Sequence, residues 1–145
     1  MSIFDELRNK VKRLKDTVNK EIRSTVDANK GLIKDEQVKQ FFAGQDANTK
    51  TIVPSYAVST IIAKRKKNQP TNRVTLRDSG ELYKSISVIA KKETYEINTG
   101  VEYFKYLVTK YDQNELLGLQ QQFKQDFTQR YIVPNISKRF KEILG

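Results

Sequence analysis

Apolar residues recur at steps of three and four along the first part of the chain, which is the spacing of one face of an α-helix. The members of this stripe are Phe4, Leu7, Val11, Leu14, Val18, Ile22 and Val26. Ser2 and Asp5 resemble a capping box, in which the serine hydroxyl accepts a free amide of the first turn. The pattern predicts a long helix over residues 1–30, which Asn29 to Gly31 weakens or ends.

The other faces of this helix are mostly charged. Their side chains are Arg8, Lys10, Lys12, Arg13, Lys15, Lys20 and Arg23, with Asp16 and Glu21 between them. A core helix is the default interpretation of the apolar stripe. A contact between subunits is the alternative, because the first steps of the stripe have coiled-coil spacing.

Two shorter helices are predicted next. The first starts at Asp35, and Gly44 is placed to supply the left-handed residue that closes it. Its apolar side consists of Val38, Phe41 and Phe42. The second runs from about Ser55 to Lys67 and is followed by the breaker QPTN.

The stretch RVTLRDSGELYKSISV, residues 73–88, predicts a turn that feeds a strand. Asp78 or Ser79 is placed to cap a helical turn from Gly80 to Lys84. From Ser85 the period becomes two, and Lys92 with Glu93 reverses the chain. The alternating positions are Ile86, Val88 and Ala90 on one side and Tyr95, Ile97 and Thr99 on the return. A hairpin near residues 85–99 with one buried face follows from this pattern.

Aromatic residues mark the rest of the chain. The segment EYFKYLVTKY, residues 102–111, is interpreted as part of the core, with nucleic-acid stacking as the alternative. Residues 114–120, NELLGLQ, form a short apolar connector, and a final helix carries Phe123, Phe127 and Tyr131 up to a break or kink at Pro134. The predicted fold class is α+β: a small antiparallel sheet packed with helices, a long N-terminal helix and a C-terminal helix, in a single domain over residues 1–145.

Composition removes much catalytic chemistry. The 145 residues include no cysteine and no histidine, which excludes serine–histidine triads, cysteine–histidine dyads and the usual zinc sites. Adjacent carboxylates, such as Asp5 with Glu6 and Asp35 with Glu36, sit on predicted solvated helices and point about 100° apart. We therefore expect no catalytic residue, no cofactor and no metal.

The chain carries 27 Lys and Arg against 17 Asp and Glu, a formal charge of +10. Scattered lysines serve solubility, but the same excess suits a polyanionic neighbour such as DNA. The densest run is Lys64, Arg65, Lys66 and Lys67. One or two of these cations suit a helix C-terminus, and the exposed run is a candidate for facing a channel or a partner.

No apolar run approaches the ~20 residues that span a bilayer, and the N-terminus lacks the apolar centre of a secretory leader. We therefore expect neither a membrane segment nor a leader.

The order of these motifs resembles the tail-completion and neck proteins of tailed bacteriophages, a group that includes virion morphogenesis and head–tail connector proteins. Two parts of the chain match the group. The turn that feeds the first strand matches at Leu76, Asp78, Ser79, Gly80, Leu82, Ser85 and Ile86, and the phrase that ends the second strand matches at Gly100, Tyr103 and Tyr106. The segments PSYAVSTIIAKRKKNQPTNRVTL and LLGLQQQFKQDF are similar to a linker and a last helix in one branch of the group. The sequence LVTKYDQNE departs from the loop that many members carry there.

The resemblance implies a structural protein without catalysis that forms a sixfold or twelvefold ring. Its neighbours would be portal, connector or tail-tube proteins, with double-stranded DNA passing through the bore. Its location would be the virion neck or tail, and the host cytoplasm during assembly, with the long N-terminal helix as a possible assembly arm. A basic nucleic-acid-binding module is the alternative, and a carboxylate-dependent hydrolase is ranked below both.

Overall fold

A computed structural model describes residues 2–92, 94–111 and 115–145 of an α+β protein. The helices are α1 (Ile3–Ala28), α2 (Lys30–Phe42), α3 (Val58–Lys66), α4 (Glu81–Ser85), α5 (Phe104–Lys110), α6 (Gln121–Phe127) and α7 (Val133–Leu144). The strands β1 (Ile86–Ala90) and β2 (Tyr95–Thr99) pair as an antiparallel hairpin. The predicted fold class, the hairpin, the long N-terminal helix and the C-terminal helix are confirmed.

Helix α1 begins where the sequence predicts. The hydroxyl of Ser2 accepts a hydrogen bond from the amide of Asp5 at 3.2 Å, and the Asp5 carboxylate accepts the Ser2 amide at 3.4 Å. Asn29 ends the helix, and its side-chain amide donates to the carbonyl of Thr25 at 2.8 Å. Polar side chains of the predicted types therefore define both ends of α1.

Helix α2 starts at Lys30, five residues before the predicted start at Asp35. Gly31 is helical despite a cost of about 1 kcal/mol relative to alanine. Ile33, in the added turn, is fully buried, and burying such a side chain contributes about 1.5–3 kcal/mol. Packing therefore outweighs the helix propensity that suggested a later start.

Contacts group the chain into two compact units. One contains Met1–Lys30, Ile89–Glu96 and Gln122–Gly145, and the other contains Gly31–Val88 and Ile97–Gln121. The expectation of one domain over residues 1–145 stays a prediction.

The first unit is held by contacts between α1 and α7. Arg139 Nε donates to a Glu21 carboxylate oxygen at 3.0 Å, and Asn135 Nδ2 donates to the hydroxyl of Thr25 at 3.2 Å. The rings of Phe123, Phe127 and Tyr131 follow one another at centroid distances of 6.0 and 5.1 Å.

Pro134 does not break the last helix. A π-helical segment, Thr128–Ile132, joins α6 to α7, and Pro134 lies in the first turn of α7. Proline lacks an amide donor and crowds the carbonyl four residues earlier, so a wider turn before it keeps the chain helical.

The second unit holds most of the buried apolar residues. Its largest fully buried apolar side chains belong to Phe41, Ile33, Ile52, Leu82, Leu119 and Val74. Phe42, predicted to be on the buried side of α2, is instead exposed, and its ring lies 4.7 Å from the Arg73 guanidinium. Gly44 has a φ of +72° and closes α2 in the left-handed conformation, as predicted.

The hairpin has the predicted faces. Ile86 and Val88 of β1 and Ile97 of β2 are buried, whereas Ser87 and Ile89 are exposed. Glu93, part of the predicted turn, lies outside the described residues, as do residues 112–114 of the departing loop and the connector. Among the helices described, none has the length and apolar character needed to cross a membrane.

Candidate functional site

The turn motif of residues 76–86 is anchored by its apolar members. Leu76, Leu82 and Ile86 are all buried. They fix the segment at its start, at α4 and at the first residue of β1, so the motif is a joint that links the arm, residues 73–77, to the hairpin through buried side chains.

Gly80 is required by the backbone. It has a φ of +89° directly before α4, where a residue with a Cβ is strained. A Cβ there would meet no heavy atom within 4 Å, so the backbone angle and not close packing selects glycine. The hydroxyl of Ser79 accepts the amide of Glu81 at 3.3 Å, which confirms Ser79 as the residue that satisfies an exposed amide of α4.

Ser85 joins the two strands at their open end. Its hydroxyl donates to the carbonyl of Leu82 at 2.8 Å and lies 2.5 Å from the hydroxyl oxygen of Thr99. Thr99 in turn accepts the amide of Val101 at 3.2 Å. The start of β1 and the exit of β2 are therefore linked through two hydroxyl groups.

Two tyrosines hold the arm before the turn. The amide of Thr75 donates to the Tyr56 hydroxyl oxygen at 2.8 Å, and the Tyr83 hydroxyl donates to the Thr75 carbonyl at 2.5 Å. Burial raises the pKa of Tyr83 to about 12. Leu76, the next residue, has a φ of +55°, which is uncommon for a residue with a branched side chain. The two hydroxyl contacts secure the backbone beside this unusual angle.

The sequence predicts no hydrogen-bonding role for Tyr56 or Tyr83. A buried tyrosine hydroxyl usually finds a hydrogen-bond partner, so their position within apolar segments was the available signal. The partner itself is a backbone group of a distant segment, which local patterns do not reveal.

The basic run divides into residues with different environments. Arg65 and Lys66 are exposed, as predicted. Lys64 is not, since it is 8% exposed. Its ammonium donates to the Arg77 carbonyl at 2.5 Å and to the Gln69 side-chain oxygen at 3.2 Å, and it lies 4.8 Å from the Tyr56 ring centre. The prediction of an exposed run is wrong at Lys64, because a lysine stem packs readily on apolar surface while its head finds acceptors.

Lys67 forms an ion pair with Asp78, the turn residue that was an alternative cap for α4. This hydrogen bond and the charge of Lys67 lower the pKa of Asp78. Both side chains are more than half exposed, so solvent screens the attraction. The pair links the end of α3 to the turn motif and occupies one of the four cations of the run.

A groove of about 340 Å³ opens beside these cations in the second unit. Residues of α3 and of the arm line it on the polar side, including Lys64, Lys67 and Arg77. The apolar side is formed by Tyr56, Tyr103, Leu107 and Tyr111. Asp78, the partner of Lys67, also lines the groove. The groove therefore combines aromatic walls with a rim of three cations and one carboxylate, which leaves a net positive charge.

The aromatic segment before and within α5 is only partly core. Tyr111 is buried and Leu107 is half-buried, as the core interpretation requires. Tyr103, Tyr106 and Val108 are exposed. Part of the segment therefore presents aromatic surface to solvent.

The apolar stripe of α1 changes along its length. Phe4 is 75%, Leu7 57% and Val11 45% exposed, whereas Val26 is fully buried. The default interpretation of the stripe as a core face is thus wrong for its N-terminal half. Large apolar side chains that lie exposed on one face of a helix mark an interaction surface more often than scattered single ones do.

Across the described ranges, no three Asp or Glu side chains converge in a way that could hold a metal ion. Asp35 and Glu36 lie on α2, and Asp5 and Glu6 on the exposed first turn of α1.

Comparison with protein-family models, with curated proteins and with solved structures found no match.

Proposed function

We propose that this chain is a structural virion protein of a tailed phage, one copy of a ring in the neck, the head–tail connector or the tail-completion region. The observation that carries the proposal is the exposed apolar face at the start of α1. Phe4, Leu7 and Val11 lie on one side of a 26-residue helix, and all three are exposed. Covering such a face with a neighbouring copy removes apolar area from water and drives assembly.

Ring formation needs a contact that repeats with the same rotation from copy to copy. Such a head-to-tail contact uses two different surfaces of each subunit. The chain offers two suitable surfaces, the apolar face of α1 and the aromatic, basic groove beside α3. A ring subunit must also keep its shape, and the buried side chains and hydroxyl contacts of the joint around Gly80 and Ser85 favour one local conformation.

The resemblance to neck and tail-completion proteins supplies the biological setting of the proposal. The turn motif, the hairpin and the aromatic segment follow one another in the order that the resemblance implies. In this setting the protein acts without catalysis and contacts portal, connector or tail-tube neighbours. It resides in the virion, and in the host cytoplasm during assembly.

The positive charge fits a bore through which DNA passes. Between Arg8 and Lys15, α1 carries five basic residues and no acidic one. Arg65 and Lys66 add two exposed cations at the end of α3. Cations facing a channel would neutralise phosphates without reading bases.

The same basic surface favours a second candidate function, a nucleic-acid-binding module that works as a monomer. Duplex binding of this kind weakens steeply as salt rises. The protein displaces counterions condensed on the DNA, and their release is less favourable when the salt concentration is high.

Negative-stain electron microscopy of the purified chain, with light scattering, tests the proposal. We expect rings of uniform copy number. A chain that stays monomeric, alone and when added to phage heads or tails, while binding duplex DNA in a salt-dependent way, would replace the first function with the second.

A further inference from the structure

We infer that the first turn of α1 from one copy docks into the groove beside α3 of the next copy, with Phe4 in its aromatic walls. This inference rests on the proposed ring and names the contact that builds it. It commits to one occupant, a second copy of this chain.

The first turn of α1 presents the most exposed apolar pair of the helix beside two acids. Ile3 is 81% and Phe4 75% exposed, and Asp5 and Glu6 stand in the same turn. Asp5 accepts hydrogen bonds from Ser2 in the capping box. In the part of the chain that is described, Glu6 forms no ion pair, so its carboxylate is available to a neighbour.

The groove presents the complementary set. Tyr56, Tyr103 and Leu107 supply apolar walls, and a volume of about 340 Å³ lies at the low end of ligand pockets, suited to one or two side chains. The ammonium of Lys64 is occupied by protein oxygens and Lys67 is paired with Asp78. Arg77 lines the same groove, is exposed, and forms no ion pair within the described ranges.

Charge separates this arrangement from two others. Pairing α1 with another α1 would bring its basic stretch, Arg8 to Lys15, against the same stretch of a second copy or leave the acids unmatched. An anionic membrane surface would attract that stretch but repel Asp5 and Glu6, which flank the most exposed apolar residues. The groove matches the acids with Arg77 and the aromatic ring with tyrosines.

A labelled peptide tests the contact directly. The probe is residues 2–11, N-acetylated and fluorescent at the C-terminus, titrated by anisotropy against the full-length Phe4→Asp variant. That variant cannot fill its neighbour's groove, so its own groove is free in any assembly state. Val58→Asp is the matched control, because Val58 is also exposed, begins a helix and does not line the groove.

We expect saturable binding by Phe4→Asp and weaker apparent binding by Val58→Asp, whose grooves are already filled. Arg77→Glu, added to the Phe4→Asp chain, should weaken binding by about tenfold or more, as should Glu6→Arg in the peptide. Combining the two charge changes should recover most of the loss, because the pair is then reversed in sign. Circular dichroism verifies that each chain is folded.

Three results would overturn the inference: no binding by the Phe4→Asp chain, binding that Arg77→Glu leaves unchanged, or binding to phosphatidylglycerol vesicles but not to the protein. Binding that Arg77→Glu leaves unchanged would place the peptide on a surface other than the groove. Rings of wild-type protein without peptide binding would remove this contact and leave the ring. Peptide binding by a chain that forms no ring would remove the ring instead.

Discussion

Helices α1 and α2 follow each other directly and differ in how well their apolar patterns predict which residues are buried. Helix α1 has a regular apolar stripe, yet its buried residues are only Thr25 and Val26. Helix α2 lacks a clean stripe, yet Ile33, Gln37, Gln40 and Phe41 are buried. A strong amphipathic pattern therefore does not by itself report burial within the fold of the same chain.

The polar residues buried on α2 explain its weak pattern. Gln37 Oε1 accepts the amide of Gly118 at 2.8 Å, and Gln40 Nε2 donates to the carbonyl of the same residue at 2.8 Å. Gly118 has a φ of +136°. Two glutamines thus hold one irregular glycine in the second unit, a role for which helical periodicity gives no signal.

The sharpest test of this contrast replaces one phenylalanine by alanine in each helix. Phe41→Ala removes a fully buried ring whose centre lies 6.3 Å from that of Tyr83, and should lower the free energy of unfolding by about 3–5 kcal/mol. Phe4→Ala, at an exposed position, should change it by no more than about 0.5 kcal/mol. Urea denaturation at one low protein concentration measures both. Comparable losses from the two changes would refute the contrast.

A glycine pair extends the test to the backbone. Gly80→Val places a β-branched residue at a φ of +89° and should cost about 1–3 kcal/mol, with loss of assembly and of virion yield. Gly31→Ala is its control, because Gly31 is helical and a Cβ there meets nothing within 4 Å. The alanine should stabilise the chain by about 0.5–1 kcal/mol in the same urea experiment. A neutral Gly80→Val would contradict the proposed joint.

A buried and an exposed lysine should show the same contrast with a smaller loss of stability. Lys64→Gln removes charge-assisted hydrogen bonds from a buried side chain and should cost about 1 kcal/mol. Lys12→Gln, on the exposed part of α1, should leave stability within about 0.5 kcal/mol. Thermal unfolding of the two variants provides the comparison, and equal midpoints would show that the bonds of Lys64 contribute nothing.

The remaining three residues of the run make a separate functional test. Replacing Arg65, Lys66 and Lys67 together by glutamine should leave the fold intact, since all three are exposed. If they face the channel or a partner, assembly or infectivity should fall. A wild-type phenotype would return them to the role of a solvated surface.

The smallest expected effect is a loss of stability of the second unit at alkaline pH. Burial raises the pKa of Tyr83 to about 12, above its ordinary value of 10.0, so the neutral phenol is favoured by folding. Its contribution is complete below pH 10 and is lost as pH rises towards 12. In Tyr83→Phe the free energy of unfolding should therefore decrease less over that pH window than in the wild type. Urea midpoints at several pH values measure this. An identical alkaline profile in the variant would argue against this role.

Local patterns predicted a large part of the fold. The capping residues Ser2 and Asp5, the left-handed Gly44 and the alternating strands all follow from chemistry within a few residues. Such features depend on backbone angles and on hydrogen bonds between residues close in sequence, so local residue types are enough to predict them.

Features set by distant segments were missed. The burial of Lys64 depends on the carbonyl of Arg77, and the start of α2 depends on the packing of Ile33. The groove combines α3, the arm at Arg77 and the aromatic residues around α5. No spacing in the sequence brings these three segments together, so the candidate site could be assembled only from the structure.

The central claim is that a second copy of this chain covers the exposed start of α1. Multi-angle light scattering on wild type, Phe4→Asp and Val58→Asp at one concentration tests it most directly. We expect a closed assembly of many copies of the 16.8 kDa chain for wild type and Val58→Asp, and a folded monomer for Phe4→Asp. Assemblies of the same mass in all three proteins, or a monomer in all three, would contradict it.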